Sequence, residues 1–351
     1  MSSHNGRKTD PHQIDGRAVV VTGASGGVGR AIVRKLAGRG CKIGLLARGS
    51  DALEAARREV EELGGTGLAI ATDVSNSEQI EAAAEAVEQA FGPIDVWIND
   101  AMVSMYAPFW NISAKEFEHI TAVTYLGQVY GTMTALKRMR PRDRGTIVQV
   151  GSALAKRSIP LQSAYCGAKH AIAGFTESLR CELIHDKSSV KVTMVDLPGV
   201  NTTQFSWTKN RMPHKPRPTG PIFQPEVAAD GIIFAAEHPW RKKVIVGFPA
   251  WEAIVGEKFV AGALDHYLAR AAWDGSQLPQ PADPNHADNF WKPLPGDHGS
   301  HGPFDSIAKS HSGQLWATEH KKGLWAAVVG IGVGAAVAAV EMRRNHGRAW
   351  N

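Results

Sequence analysis

Thr22-Gly23-Ala24-Ser25-Gly26-Gly27-Val28-Gly29 is the stretch that decides the fold. An apolar run, Arg17-Ala18-Val19-Val20-Val21, comes directly before it. A helical pattern, Ala31-Ile32-Val33-Arg34-Lys35-Leu36-Ala37, comes directly after it. Strand, glycine turn and helix in this order make a phosphate-binding context. Glycines let the backbone turn sharply and approach an anion closely. The helix N-terminus adds free N–H groups and the positive end of its dipole.

Outward from this turn, apolar runs alternate with helix-length patterns. Further strands are expected at Lys42–Leu46, Gly67–Ala71, Ile94–Ile98, Gly145–Val150, Val190–Val195 and Lys243–Val246. Helices are expected from Asp51, read as a cap, to Leu63, then over Ser77–Ala90, Ala114–Met139 and Ser163–His185. Strands separated by helices imply βαβ units, so the fold class is α/β. The architecture is a doubly wound Rossmann sheet of seven parallel strands with helices on both faces. Ligands bind beyond the C-terminal ends of such strands. This domain spans residues 14–250. A second region, 251–319, holds a helix at Trp251–Trp273 and then Gly275–Phe304, where six prolines mark an irregular arm. The third, 320–345, is an apolar C-terminal helix.

That last helix contains Leu324–Val340, with no charge in 17 residues and Lys321, Lys322, Arg343 and Arg344 flanking it. Its length is at the short end for a bilayer span, and its glycines suit a membrane helix. It is read as a membrane anchor; the alternative is docking on the domain itself or on a second subunit. Polar residues 1–11 lack the apolar core of a signal peptide. The three cysteines, Cys41, Cys166 and Cys181, have no ligand spacing and suit a reducing compartment. The domain at 14–250 is therefore placed in the cytoplasm. A net charge of +5 without a basic, aromatic-interleaved stripe speaks against nucleic acid. His286, His298 and His301 have no partner cysteine or carboxylate cluster with ligand spacing, so no metal is assigned.

Tyr165 and Lys169 stand four apart at a helix start and share one face. A lysine ammonium beside a phenol favours the phenolate and lowers the tyrosine pKa. A tyrosine tuned this way exchanges a proton near neutral pH. Ser152 follows the fifth strand, at the ligand-binding edge, where its hydroxyl suits a carbonyl oxygen.

A TGxxxGxG turn, a serine after the fifth strand and YxxxK on the next helix together resemble the short-chain dehydrogenase/reductase family over about residues 14–250. The resemblance implies a nicotinamide-dependent oxidoreductase, as a homodimer or homotetramer. It implies that Ser152 polarises the carbonyl, that Tyr165 is the acid or base, and that Lys169 binds the nicotinamide ribose and tunes Tyr165. Thr22, Gly23, Ser25, Gly27, Val28 and Gly29 would hold the cofactor phosphates. Asp73 and Val74 match the pair whose Asp binds the adenine amino group. Asn99-Asp100-Ala101-Met102 matches an NNAG motif at Asn99 and Ala101 only. Pro198, Gly199 and Thr202 match the PG motif on the nicotinamide side. Thr124 stands where the family often has an Asn in the proton relay, which implies a slowed or altered relay.

Cofactor choice is argued from charge. NAD enzymes place an acid at the end of the second strand to bind the ribose 2′-OH. This chain has Ala47-Arg48 there, and an arginine fork fits a 2′-phosphate. NADP is expected over NAD, with Arg30 as a second nearby cation. Met102, Met105, Tyr106, Phe109 and Trp110, with Phe205, Trp207 and Met212, suggest a hydrophobic carbonyl or alcohol substrate; the alternative is that they only pack the loops. Gln162 is placed to reach the substrate. The rival function is a non-catalytic dinucleotide-binding sensor or scaffold.

Overall fold

The computed structural model describes residues 13–247, 262 and 264–321. The candidate anchor at 324–340 and the first part of the helix expected at 251–273 lie outside the described residues. Among the described residues, no helix is long and apolar enough to cross a membrane.

Seven parallel strands form the central sheet: β1 (Ala18–Thr22), β2 (Lys42–Ala47), β3 (Thr66–Ala71), β4 (Val96–Asn99), β5 (Thr146–Val150), β6 (Lys191–Asp196) and β7 (Lys243–Ile245). Their order is β7-β6-β5-β4-β1-β2-β3. The chain reverses direction of travel between β1 and β4, and a crevice opens there at the C-terminal edge. β1, β4 and β5 are buried at every residue, which is why they read as mainly apolar runs.

Helices α1 (Gly27–Ala37), α2 (Ser50–Glu62), α3 (Ser77–Phe91), α4 (Ala114–Ile120), α5 (Gly127–Met139), α6 (Ser163–His185) and α7 (Pro225–Glu237) accompany the sheet. Two expectations are corrected. The long helix expected at 114–139 is interrupted, because Thr121–Leu126 forms a π-turn between α4 and α5. Such turns widen the backbone ladder and recur at functional sites. Asp51 is not the cap of α2; Gly49 occupies that position, and the Asp51 carboxylate accepts the Gly296 N–H at 3.2 Å.

Residues through His311 form one compact unit. Within it, α8 (264–275) follows β7, and the proline-rich arm then returns to the domain. Gln277–Pro281 pairs antiparallel with His214–Pro216. Phe290, followed by Trp291 in an otherwise mostly polar stretch, is fully buried in the core cluster that holds Val103, Met105 and Ile120. Buried Asn201 fastens the arm's end, donating to Asp305 at 2.8 Å and accepting the Phe304 N–H at 3.0 Å. The second unit contains the short helix Gly313–Glu319, whose first turn is capped by the Ser312 hydroxyl.

Candidate active site

The loops after β1 to β6 converge on one cavity of about 560 Å³. At its start, Gly23 (φ +74°) and Gly27 (φ +54°) hold backbone conformations that favour glycine. A Cβ on Gly23 would stand 3.0 Å from the Ala101 backbone. One on Gly29 would stand 2.2 Å from the Gly23 carbonyl, so this glycine serves close packing of α1 on β1. Gly23, Ser25, Gly27 and Val28 line the cavity, whereas Thr22 and Gly29 do not. The Thr22 hydroxyl instead accepts the N–H groups of Asp100 and Ala101 at 3.0 and 3.1 Å, tying β1 to the end of β4.

Asn99 also lies off the cavity. It is fully buried, accepts the Trp97 Nε1–H at 2.8 Å and donates to Gln149 Oε1 at 3.0 Å. Ala101, Asp73, Val74, Pro198, Gly199 and Thr202 all line the cavity. Asp73 accepts both the N–H and hydroxyl of Ser75, at 2.9 and 2.7 Å.

Ser152, Tyr165 and Lys169 meet at one end. The Ser152 hydroxyl bonds the phenol oxygen, which favours the phenolate, but burial outweighs this and pushes the Tyr165 pKa above its ordinary value. The expected lowering by Lys169 is corrected. Its ammonium donates to the Val150 carbonyl at 2.7 Å and lies 5.5 Å from the centre of the Tyr165 ring. Burial brings Lys169 down to about 8, against the opposing pull of Asp100 and Asp196. Burial likewise raises Asp100 to about 7, opposed by Lys169 and by the Gly29 N–H. The Thr124 hydroxyl donates to the Val103 carbonyl at 2.8 Å and accepts its N–H at 3.0 Å. It is thus spent on the β4 loop and not turned toward Lys169.

At the other end, Arg48 donates from Nη1 to the carbonyls of Phe290 and Trp291, both at 3.2 Å, and from Nη2 to that of Asn289 at 2.6 Å. Arg30 does not join it. Only 4% exposed, Arg30 pairs with Glu59 at 2.5 Å and Asp297 at 3.3 Å, and its role is structural.

The apolar residues divide. Met102, Tyr106, Phe205 and Trp207 line the cavity, as does Gln162, which donates to the Ser104 hydroxyl at 3.2 Å. Met105 and Met212 are core residues, and Phe109 and Trp110 are 64% and 77% exposed. Sequence reasoning missed, among others, Leu264, Leu268 and Ala271 on one face of α8, Arg157, and Asn289, Pro293, Leu294 and His298 of the arm. The spacing of 264, 268 and 271 was a readable helical stripe; the arm carried no periodic signal.

The residues present suit a dinucleotide. Gly23 and Gly27 stand where a Cβ would crowd its neighbours, and a cation and a carboxylate stand at the ends of β2 and β3. Comparison with known proteins agrees. Residues 17–213 match the family model described as short chain dehydrogenase. Oxidoreductase YxnA of Bacillus subtilis is 29% identical over 274 residues, covering 78% of this chain and 77% of the relative. The 3-ketodihydrosphingosine reductase of Bos taurus is 30% identical over 231 residues, covering 64% and 69%. An alcohol dehydrogenase of Thermococcus sibiricus, solved with 5-hydroxy-NADP, is 25% identical with a TM-score of 0.57, over 66% of this chain and 95% of its own. A family member from Burkholderia phymatum, solved with NAD, shares the fold at 24% identity and a TM-score of 0.63, over 77% and 98%. The chain belongs to the short-chain dehydrogenase/reductase family and is an oxidoreductase acting between alcohol and carbonyl with a nicotinamide dinucleotide.

Proposed function

We propose that this enzyme uses NADP(H) to interconvert a carbonyl and a secondary alcohol on a hydrophobic substrate. The observation that carries the reading is the polarity of one cavity. Ser152, Tyr165 and Lys169 stand at one end beneath apolar walls, and Arg48, with no acid at the end of β2, stands at the other. When bound, the nicotinamide supplies or accepts the hydride. Ser152 donates a hydrogen bond to the substrate oxygen, and Tyr165 gives or takes its proton. Lys169, held on the Val150 carbonyl, orients the ribose side of the site. Tyr106, Leu154, Phe205 and the α8 face supply the apolar contact. We also infer, from the uncharged run alone, that 324–340 anchors the chain to a membrane.

NADPH oxidation on a series of ketones of rising chain length tests this. Turnover rising with chain length supports it. Equal use of short polar ketones overturns the substrate class. Binding of NADPH without turnover on any member favours the sensor reading.

A further inference from the structure

The arm crosses the dinucleotide half of the cavity, and its contacts with the two arginines differ in kind. At the α1 end, the Gly299 carbonyl accepts the Gly27 N–H at 3.2 Å, and the Asp297 carboxylate faces Arg30. At the β2 end, Arg48 meets three main-chain carbonyls and, among the described residues, pairs directly with no carboxylate, the Asp73 charge at the end of β3 acting on it from farther off. Between these points, Pro293 packs on Gly49; a Cβ there would stand 3.2 Å from the proline ring.

The difference matters chemically. A carboxylate neutralises a guanidinium, whereas a carbonyl fixes its direction and leaves the full charge. Three of the five guanidinium hydrogens point to the arm, leaving the Nε–H and one Nη2 hydrogen for an incoming anion. The carbonyls are themselves held firmly. Fully buried Phe290 seats the segment, and its carbonyl is shared with His119 Nε2 at 2.8 Å. The Trp291 ring lies 4.5 Å from that of His119, and the Lys209 ammonium stands 5.1 Å from the Phe290 ring.

We propose that arm segment 289–291 is a specificity-determining part of the cofactor site, holding Arg48 in position for a ribose 2′-phosphate. This rests on the NADP(H) reading. Phe290 and Trp291 are positioning residues, acting through Arg48. A guanidinium released from the arm must be re-ordered at each binding event, so the gain from a 2′-phosphate shrinks while the shared part of the dinucleotide binds as before.

The test is a fluorescence titration of the full chain with NADPH and with NADH. Wild type, Arg48→Ala, Phe290→Ala and Trp291→Ala are compared, and circular dichroism checks folding. Trp291 is half-exposed, so its truncation spares the core should Phe290→Ala unfold. Wild type is expected to favour NADPH, and Arg48→Ala to lose that preference. Each arm variant is expected to lower the NADPH-to-NADH affinity ratio about tenfold, with NADH affinity nearly unchanged. General loosening of the site would weaken both dinucleotides alike and leave the ratio intact; that result overturns the proposal while the NADP(H) reading stands. A wild type without preference overturns both.

Discussion

Replacing Asn99 by leucine separates a structural asparagine from a cofactor ligand. Leucine keeps the branched shape and removes the amide, at the cost of added bulk that the close-packed site must absorb. Two fully buried groups then lose partners: the Trp97 Nε1–H loses its acceptor at 2.8 Å, and Gln149 Oε1 loses its donor at 3.0 Å. The Gln128 carbonyl and Gln149 Nε2 keep the Thr132 hydroxyl, at 2.7 and 2.6 Å, and are not orphaned. Water cannot easily substitute, since Gly131 of α5 packs so closely that a Cβ there would stand 2.2 Å from Asn99 Oδ1. Each orphaned buried group costs about 1–3 kcal/mol, so the variant should lose about 2–6 kcal/mol. Urea unfolding followed by circular dichroism reads this directly, with the slope unchanged. NADPH affinity of the folded variant should stay within about twofold of wild type, a change well under 1 kcal/mol. A stability loss below about 1 kcal/mol, combined with a tenfold weaker NADPH affinity, would show that Asn99 acts on the cofactor and not on the sheet.

Tyr165→Phe should retain less than about a tenth of the single-turnover rate, a barrier increase above roughly 1.4 kcal/mol, while NADPH binding is kept. Greater residual activity would remove Tyr165 as the proton donor. Asp100→Asn should change stability in a pH-dependent way. Burial first, against Lys169 and the Gly29 N–H, raises Asp100 from 3.8 to about 7 in the folded state. Folding thus favours its protonated form, and its contribution to stability is full below about pH 4 and lost as pH rises through about 7. The variant's urea midpoint should match wild type near about pH 4 and exceed it near about pH 8; a pH-independent difference would contradict this. Full-length protein should sediment with membranes and a chain ending at Glu319 should not; finding both in the soluble fraction without detergent would make 324–340 a docking helix.

The parts of the site legible in the sequence are those made by local pattern. Each sheet strand centres on a short apolar stretch, and α6 begins at Ser163 and ends at His185 as its spacing implies. The glycine turn and the Tyr165–Lys169 pair depend on neighbours within a few positions. The π-turn at Thr121–Leu126 was invisible because apolar residues continue through it at helical spacing. Phe109 and Trp110 misled because residue type does not say which way a loop turns. The arm was illegible for a deeper reason. It holds its place partly through main-chain carbonyls, which every residue carries and no side-chain pattern encodes. Its effect is clearest on the two arginines, Arg48, which sequence reading assigned to the 2′-phosphate, and Arg30, which it placed nearby as a second cation. Arg30 is compensated by the carboxylates of Glu59 and Asp297, the latter 267 positions away, and is buried as a tie between elements. Arg48 is bound by uncharged carbonyls, the first 241 positions away, and keeps its charge at the mouth of the cavity. The kind of acceptor, not the kind of donor, separates a structural arginine from one prepared to receive an anion. In this chain both kinds of acceptor come from the same arm.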